Sequence, residues 1–454
     1  MQEDIAQVLT ACAIPKNNDD RLLNEKKIRE FKSDHPKQFM NTMSEQLNNQ
    51  NLDQSARHLA GVLFKNSVKK GDPEPSWFSF SQEEKEELKT RILSPLADTS
   101  ASVRLSACSC VATVACLELP RGNWTDLIEN LCTNSYHENL QIKESSLKTL
   151  GYICEELESD VLNREQTNLV VTALLEALVA NADNTEIMKI SIEAVLHALV
   201  FAEGIFDQNE GGVIVERILD CVMNPCVEVR TTTMMCLAEI VRLYYKHINT
   251  HIEKITELSF KIMREDAEDV GTLAIEVWCS LCEEEIYLKS KNQHCNNYVE
   301  TIFKNLLELM LELLNDSNID EDDDSDTWNR STAAGCCLHL MAQNVGDPII
   351  QDVISFVEKK IGTSSNWKDK YFGLLALGAI LEGPSKESLA NVLSPAMGAI
   401  LSLFEDESRK VRETTAWFFS KVAQNHAQLL GSESFFPTLY QYILRGLKDE
   451  VKVA

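Results

Sequence analysis

One signal recurs down this chain at a nearly constant interval. It is a polar turn residue, four further residues, then a β-branched residue opening an amphipathic run, often with Arg next. Asp98…Val103-Arg104, Asn224…Val229-Arg230 and Asp406…Val411-Arg412 carry it in full. Comparable helix starts fall at Ile142, Ile187, Val270, Thr332, Lys370 and Val451, so the steps from Val103 are 39, 45, 42, 41, 62, 38, 41 and 40 residues. A fixed period of this kind makes each repeat one supersecondary unit that buries its apolar face only against its neighbours. Length alone, 454 residues, would suggest about three domains; the repeat predicts one stacked array instead.

The unit is a helix pair. Sustained period-2 alternation is absent, and helical spacing is everywhere. Val229, Thr233, Leu237, Ile240, Val241 and Tyr244 share one face, as do Val411, Thr415, Phe418, Phe419 and Val422. The Asp or Asn before each start suits a turn, where its side chain can cap the following helix. The period fits HEAT-type repeats of ~40–47 residues, and the expected fold is an all-α solenoid of stacked antiparallel helix pairs. Two pairs precede Val103, at about 5–30 and 37–68, the second helix of the latter starting at Ala56. Ten complete pairs are expected. An eleventh opens near Ser434 and stops at Ala454, which predicts an N-terminal piece of a longer array.

The 62-residue step contains an insertion, Ile319-Asp-Glu-Asp-Asp-Asp-Ser-Asp-Thr-Trp-Asn329. Insertions in repeat arrays map to loops on one face, often the binding face. The six carboxylates of Asp320, Glu321, Asp322, Asp323, Asp324 and Asp326 invite a cationic partner, and Trp328 beside them can stack on an Arg or Lys stem. The whole chain is acidic, with 43 Lys+Arg against 70 Asp+Glu and a formal charge of −27. That argues against nucleic acid and for a basic protein or peptide.

The 14 cysteines lie scattered in helical patterns, as small apolar residues in a reducing compartment do. The start Met1-Gln-Glu-Asp lacks the basic and apolar regions of a signal peptide. No uninterrupted apolar run approaches the ~20 residues of a membrane span. Asn123-Trp-Thr125 and Asn329-Arg-Ser331 match a glycosylation pattern without consequence in that compartment. Cys279-Ser-Leu-Cys282 imitates a redox pair, and His294 with Cys295 could complete a zinc set. The motif sits inside a helical run, so buried core cysteines are the expectation. Phosphate loops, dinucleotide glycine fingerprints, nucleophile elbows and zinc-protease motifs are absent. The expectation is a binding protein, monomeric, with no cofactor or metal and no catalytic residue.

Several blocks identify a relative. They are Ala56-Arg-His-Leu-Ala-Gly61 with Phe64-Lys-Asn-Ser67; Val111-Ala-Thr-Val-Ala115 with Glu118-Leu-Pro120 and Trp124; and Lys143-Glu-Ser-Ser-Leu147 with Gly151-Tyr-Ile-Cys-Glu155. Ile275-Glu-Val-Trp278 with Cys282-Glu-Glu284 follows, then the acidic run into Ala333-Ala-Gly335, then Gly378-Ala-Ile-Leu-Glu-Gly-Pro384 and Thr415-Ala-Trp417. In this order they resemble the N-terminal half of the importin-β (karyopherin-β) family of nuclear import receptors. The first pair carries little of the match.

The resemblance implies a carrier shuttling between cytoplasm and nucleus through the nuclear pore complex, with three kinds of partner. Ran-GTP would meet the early second helices at Arg57, Lys65, Asn66, Val111, Glu118 and Lys143, and the acidic run at Asp322, Asp323 and Asp324. The basic importin-β-binding segment of the importin-α adaptor would enter past the acidic run. Phenylalanine-glycine nucleoporins would insert rings between first helices, at Val171, Thr172 and Leu175 on one and Glu210, Val213 and Ile214 on the next. Val213 is aliphatic where the family commonly has an aromatic. The implied division places Ran-binding repeats at about 1–160, nucleoporin-binding repeats at 161–290, the acidic-run repeat at 296–346 and further repeats at 347–454. A HEAT scaffold such as a phosphatase regulatory subunit or coat adaptor explains the period equally well, but not the acidic run with Trp-Asn or Gly151-Tyr-Ile-Cys.

Overall fold

The computed structural model describes residues 2–69, 76–208, 210–315, 328–363, 366–430 and 435–446. Among these are 22 α-helices, short 3-10 turns and no strand. Two compact units result, Met1–Cys221 and Val222–Ala454. The first holds α1 (Gln2–Ala13), α2 (Asn18–Asp34), α3 (Pro36–Asn48), α4 (Gln54–Val68), α5 (Gln82–Leu93) and α6 (Ala101–Glu118). It continues with α7 (Leu127–Asn134), α8 (Leu140–Glu156), α9 (Arg164–Ala180), α10 (Thr185–Ala198), the short α11 (Glu203–Asp207) and α12 (Gly212–Cys221). The second holds α13 (Val227–Tyr244), α14 (Ile252–Glu265), α15 (Glu268–Ser290), α16 (Tyr298–Leu314) and α17 (Arg330–Val345). It ends with α18 (Ile350–Thr363), α19 (Trp367–Ala379), α20 (Lys386–Ser402), α21 (Arg409–Asn425) and α22 (Phe436–Gly446).

Within each unit the second helices of successive pairs pack on one another in order: α4, α6, α8 and α10 in the first, α13, α15, α17, α19 and α21 in the second. The repeat signal finds its physical meaning here. Val103, Ile142, Ile187, Val229, Val270, Thr332 and Val411 are each the third residue of their helix, and Lys370 the fourth. Most of these point inward: Val103, Ile187, Val229, Val270 and Val411 are all 0 % exposed. The faces read from α13 and α21 are the core faces; each of their eleven residues is buried.

The polar turn residue acts one step earlier than expected. Asp98, Asn224 and Asp406 accept from the backbone N–H of Ser100 (2.9 Å), Cys226 (2.9 Å) and Ser408 (3.0 Å), the residues just before the helices. Those three N-caps make no side-chain cap of their own. The following Arg folds back to complete the turn. Arg104 Nη1 donates to the Asp98 and Thr99 carbonyls (3.0 and 3.2 Å), Arg230 Nη1 to Asn224 and Pro225 (2.7 and 3.1 Å), and Arg412 Nη1 to Asp406 and Glu407 (both 3.0 Å). Orphan carbonyls of the turn are thereby satisfied by a charged donor. Where Asn is the N-cap itself, at Asn139, Asn184, Asn329 and Asn366, it caps the helix directly.

Two stretches, Ala101–Arg121 and Lys386–Glu405, are long and apolar enough to cross a membrane by composition. The first contains α6, packed between α4 and α8. In the second, Leu389, Leu393, Met397, Ile400 and Leu401 form one buried stripe, the pattern of an amphipathic surface helix.

Candidate functional site

The residues expected to meet a GTPase divide by depth. Arg57 on α4 is 4 % exposed. Its Nε donates to the Leu47 carbonyl (3.0 Å), its Nη1 to Gln50 (3.2 Å) and its Nη2 to Asp98. Burial alone would raise the Asp98 carboxyl, but bonds from Arg57, the Ser100 amide and Gln50 outweigh it and hold Asp98 below the usual carboxylate value. Val111 and Glu118 on α6 are 0 % exposed. Glu118 Oε1 accepts from Trp77 Nε1 (2.7 Å) and Lys85 Nζ (3.2 Å). Its Oε2 lies 3.1 Å from Lys89 Nζ, an ion-pair distance without hydrogen-bond alignment. Arg57, Val111 and Glu118 therefore spend their side chains on this chain's own scaffold. Lys65 and Lys143 are half-buried and Asn66 is exposed. Lys143 Nζ also reaches Asn181 Oδ1 on the next pair (3.2 Å).

The expected aromatic slot lies on α9 and α12, which pack against each other. Val171, Leu175 and Ile214 form closed packing there, at 6 %, 9 % and 1 % exposure. Thr172 and Glu210 are exposed, and Val213 stands out at 52 %. The slot is an apolar seam with Val213 at its lip.

Asp320, Glu321, Asp322, Asp323, Asp324 and Asp326 lie outside the described residues. Their flanks are well anchored. Ser331 Oγ donates to the Leu314 carbonyl (2.7 Å), Arg330 N to Glu268 Oε1 (2.6 Å) and Arg330 Nη2 to the Asp266 carbonyl (2.8 Å). The missing side chain of Gly271 makes room for Arg330; a Cβ there would sit 2.6 Å from the guanidinium. Trp328 is 56 % exposed and its side chain reaches Glu276, whose carboxyl is raised by burial and by Glu283.

Cys279 and Cys282 are buried on α15. Hydrogen bonding to Cys337 and burial push the Cys279 thiol well above its usual value, the opposite of a redox nucleophile. The structure does not assemble Cys279, Cys282, His294 and Cys295; among the described residues no group of three or more His, Cys, Asp or Glu could hold a metal. All 14 cysteines are unbridged.

Comparison with known proteins places this architecture. The importin-beta N-terminal domain family matches residues 24–98, and a HEAT-like repeat family matches 367–422. Importin subunit beta-1 of Saccharomyces cerevisiae is 30 % identical over 475 residues, 99 % of this chain and 54 % of the relative. The Arabidopsis thaliana importin subunit beta-1 is 30 % identical over 415 residues, 88 % of this chain and 48 % of the relative. The structure of yeast importin-beta (Kap95p) superposes with a TM-score of 0.88 at 27 % identity, covering 99 % of this chain and 54 % of that one. The chain belongs to the importin-β family. It spans about half the length of the curated relatives it matches. Kap95p bound to RanGDP, and Kap95 in complex with Nup1, superpose with TM-scores of 0.86 and 0.85, each at 27 % identity over 99 % of this chain and 54 % of the neighbour.

The family match to 24–98 runs from α2 to Asp98, so it includes the Arg57–Asp98 pair. That pair is part of a series that sequence reading missed. The fourth residue of a second helix reaches the next pair's turn again in Arg230–Asp266 (2.6 Å) and Lys370–Asp406 (2.6 Å). The signal was present in the fixed register of Arg57, Arg230 and Lys370, each three residues beyond its helix start.

Proposed function

We propose that this importin-β family chain acts as a nuclear transport receptor that works by docking proteins and performs no bond chemistry. What carries the reading is the 30 % identity to yeast importin subunit beta-1 along 99 % of the chain. The chain forms one HEAT array with early Ran-binding pairs, middle nucleoporin-binding pairs and the acidic run in the eighth. Ran-GTP docks on Lys65, Asn66 and Lys143, supported from beneath by Arg57, Val111 and Glu118, and engages Asp322, Asp323 and Asp324. Kap95p bound to RanGDP supports Ran as a partner class, and the Kap95–Nup1 complex supports nucleoporins. Phenylalanine side chains enter the α9–α12 seam past Val213. The basic segment of an importin-α adaptor meets Asp320, Glu321, Asp322, Asp323, Asp324 and Asp326, with Trp328 stacking on a cationic stem. Ran-GTP and this segment would each weaken the other's binding, as linkage requires. The receptor shuttles between cytoplasm and nucleus and pauses at the nuclear pore complex.

The test is a pull-down of the full chain on three baits: Ran loaded with GTP or GDP, phenylalanine-glycine repeats, and a basic adaptor peptide. A transport receptor is retained by Ran-GTP and by the repeats. A HEAT scaffold of another kind is retained by neither.

A further inference from the structure

The first unit contains a groove that the reading above does not use. It measures about 380 Å³ and lies between the end of α5 with the turn Ser94–Ala97 on one side and α7 on the other. Its origin is local. Gly122 and Trp124 both adopt left-handed backbone, φ 71° and 57°, so the chain turns tightly and helix resumes only at Leu127. A bulky residue at positive φ is costly and persists only where its surroundings hold it. Here Lys89, paired to Glu118, lies over the Trp124 ring at 5.1 Å. The resulting first helix is 8 residues long, against 12 in α5 and 17 in α9. First helices pack as α3 on α5, α7 on α9 and α9 on α12, but α5 and α7 make no comparable contact. The shortfall in α7 is the groove.

Its floor is aliphatic, with Leu93, Leu96, Leu127, Leu131 and Ile142. Its polar lining is Asn130, Thr133, Asn134, His137 and Ser146, with Trp124 as one wall. Lys and Arg are absent from the lining, and Asp126 and His137 are its titratable members, so no cationic cluster draws an acidic or phosphorylated occupant. A concave site with an aliphatic floor, a polar surround and a volume at the lower end of about 300–1,000 Å³ suits one large side chain. An aromatic ring gives such a site the most contact at the least rotamer entropy. We propose that this groove takes one aromatic side chain from an uncharged segment of a partner protein. This rests on the nucleoporin reading and adds a second place for such segments, one open in the unliganded chain where the α9–α12 seam is closed.

The experiment is photo-crosslinking of the full chain with a Gly-Ser peptide carrying one p-benzoylphenylalanine, mapped by mass spectrometry. Excess Gly-Ser peptide with Phe, with Leu, or with Leu between two Lys serves as competitor. The expected result is labelling within 93–97 and 124–134, competed by the Phe peptide, and reduced about tenfold by Asn130→Trp, which roofs the groove from an exposed position. Unchanged thermal unfolding of that variant shows it is folded. Absence of labelling there, labelling insensitive to Asn130→Trp, or equal competition by the Lys-Leu-Lys peptide overturns the proposal. So does labelling that falls with protein concentration as a dimer forms, which would give the groove to a second copy. Labelling on α9 and α12 reports separately on the nucleoporin reading: if it appears without groove labelling, only the groove is lost.

Discussion

Glu118 in the first unit and Glu285 in the second are both fully buried carboxylates on second helices, yet their surroundings differ in kind. Glu118 is met by two ammoniums, Lys85 and Lys89, and an indole N–H. Burial would raise its carboxyl, but the Trp77 indole, the Lys89 ammonium and the Lys85 ammonium hold it below the usual value. Glu285 is met by neutral donors: Tyr245 Oη (2.9 Å), Asn344 Nδ2 (3.1 Å) and the backbone N–H of Val299 (3.3 Å). The last bond is a cap supplied at a distance, since Asn297, N-cap of α16, has φ 54° and makes no side-chain cap. One node is a charge cluster that must stay ionised. The other is a hydrogen-bond junction joining α15 to the end of α13, the start of α16 and the end of α17. The first stands behind the groove wall through Lys89 and Trp124; the second secures the two helices that flank the acidic run.

Substitution separates the two nodes most sharply. Glu118→Gln leaves two buried ammoniums facing a neutral amide and should cost ~3–5 kcal/mol. Hydrogen exchange should quicken in α5 and α6 while α15 to α17 keep their protection. Glu285→Gln keeps the shape and one acceptor and should cost only ~1–3 kcal/mol, with the faster exchange confined to α15, α16 and α17. Equal losses, or exchange spreading through both units, would erase the distinction.

Acid separates them next. The folded pKa values of Glu118 and Asp98 lie below their unfolded values of about 4.3 and 3.9. Their contribution is therefore complete above the unfolded values and is lost as pH falls through the folded ones. Thermal unfolding of the wild type should drop as pH goes below about 4, and the drop should be smaller in Glu118→Gln. An identical acid profile in the variant would show that Glu118 is not among the groups responsible.

The smallest effects distinguish scaffold from docking face. Lys65→Ala, at a half-buried position, should change stability by less than about 1 kcal/mol, yet weaken binding to Ran-GTP. Replacing Asp322, Asp323 and Asp324 by Asn should lower that affinity and flatten its salt dependence with little effect on unfolding. Leu175→Ala should reduce retention on phenylalanine-glycine repeats with the fold preserved. A Lys65→Ala chain that binds Ran-GTP undiminished would move the interface elsewhere.

Much of this architecture was written in local pattern. The β-branched residue at the third position of most second helices gave the register, and the apolar faces of α13 and α21 emerged residue by residue. Even the first pair, α1 and α2, follows its helical spacing although its family match is weak. Depth was not legible. Arg57 and Glu118 look like surface charges in sequence, and only packing against Asp98, Trp77, Lys85 and Lys89 turns them inward. The groove was illegible for a related reason. It comes from left-handed backbone at Trp124 and a helix two turns long, neither of which leaves a periodic trace.

The central claim is a docking protein whose first partner is a nucleotide-switched GTPase. Isothermal titration of the chain with Ran, loaded once with a non-hydrolysable GTP analogue and once with GDP, tests it most directly. The account predicts tight binding of the GTP-analogue form and binding of the GDP form weaker by at least about 1.4 kcal/mol, a factor of ten. Equal affinity for the two forms, or no heat with either, would contradict it.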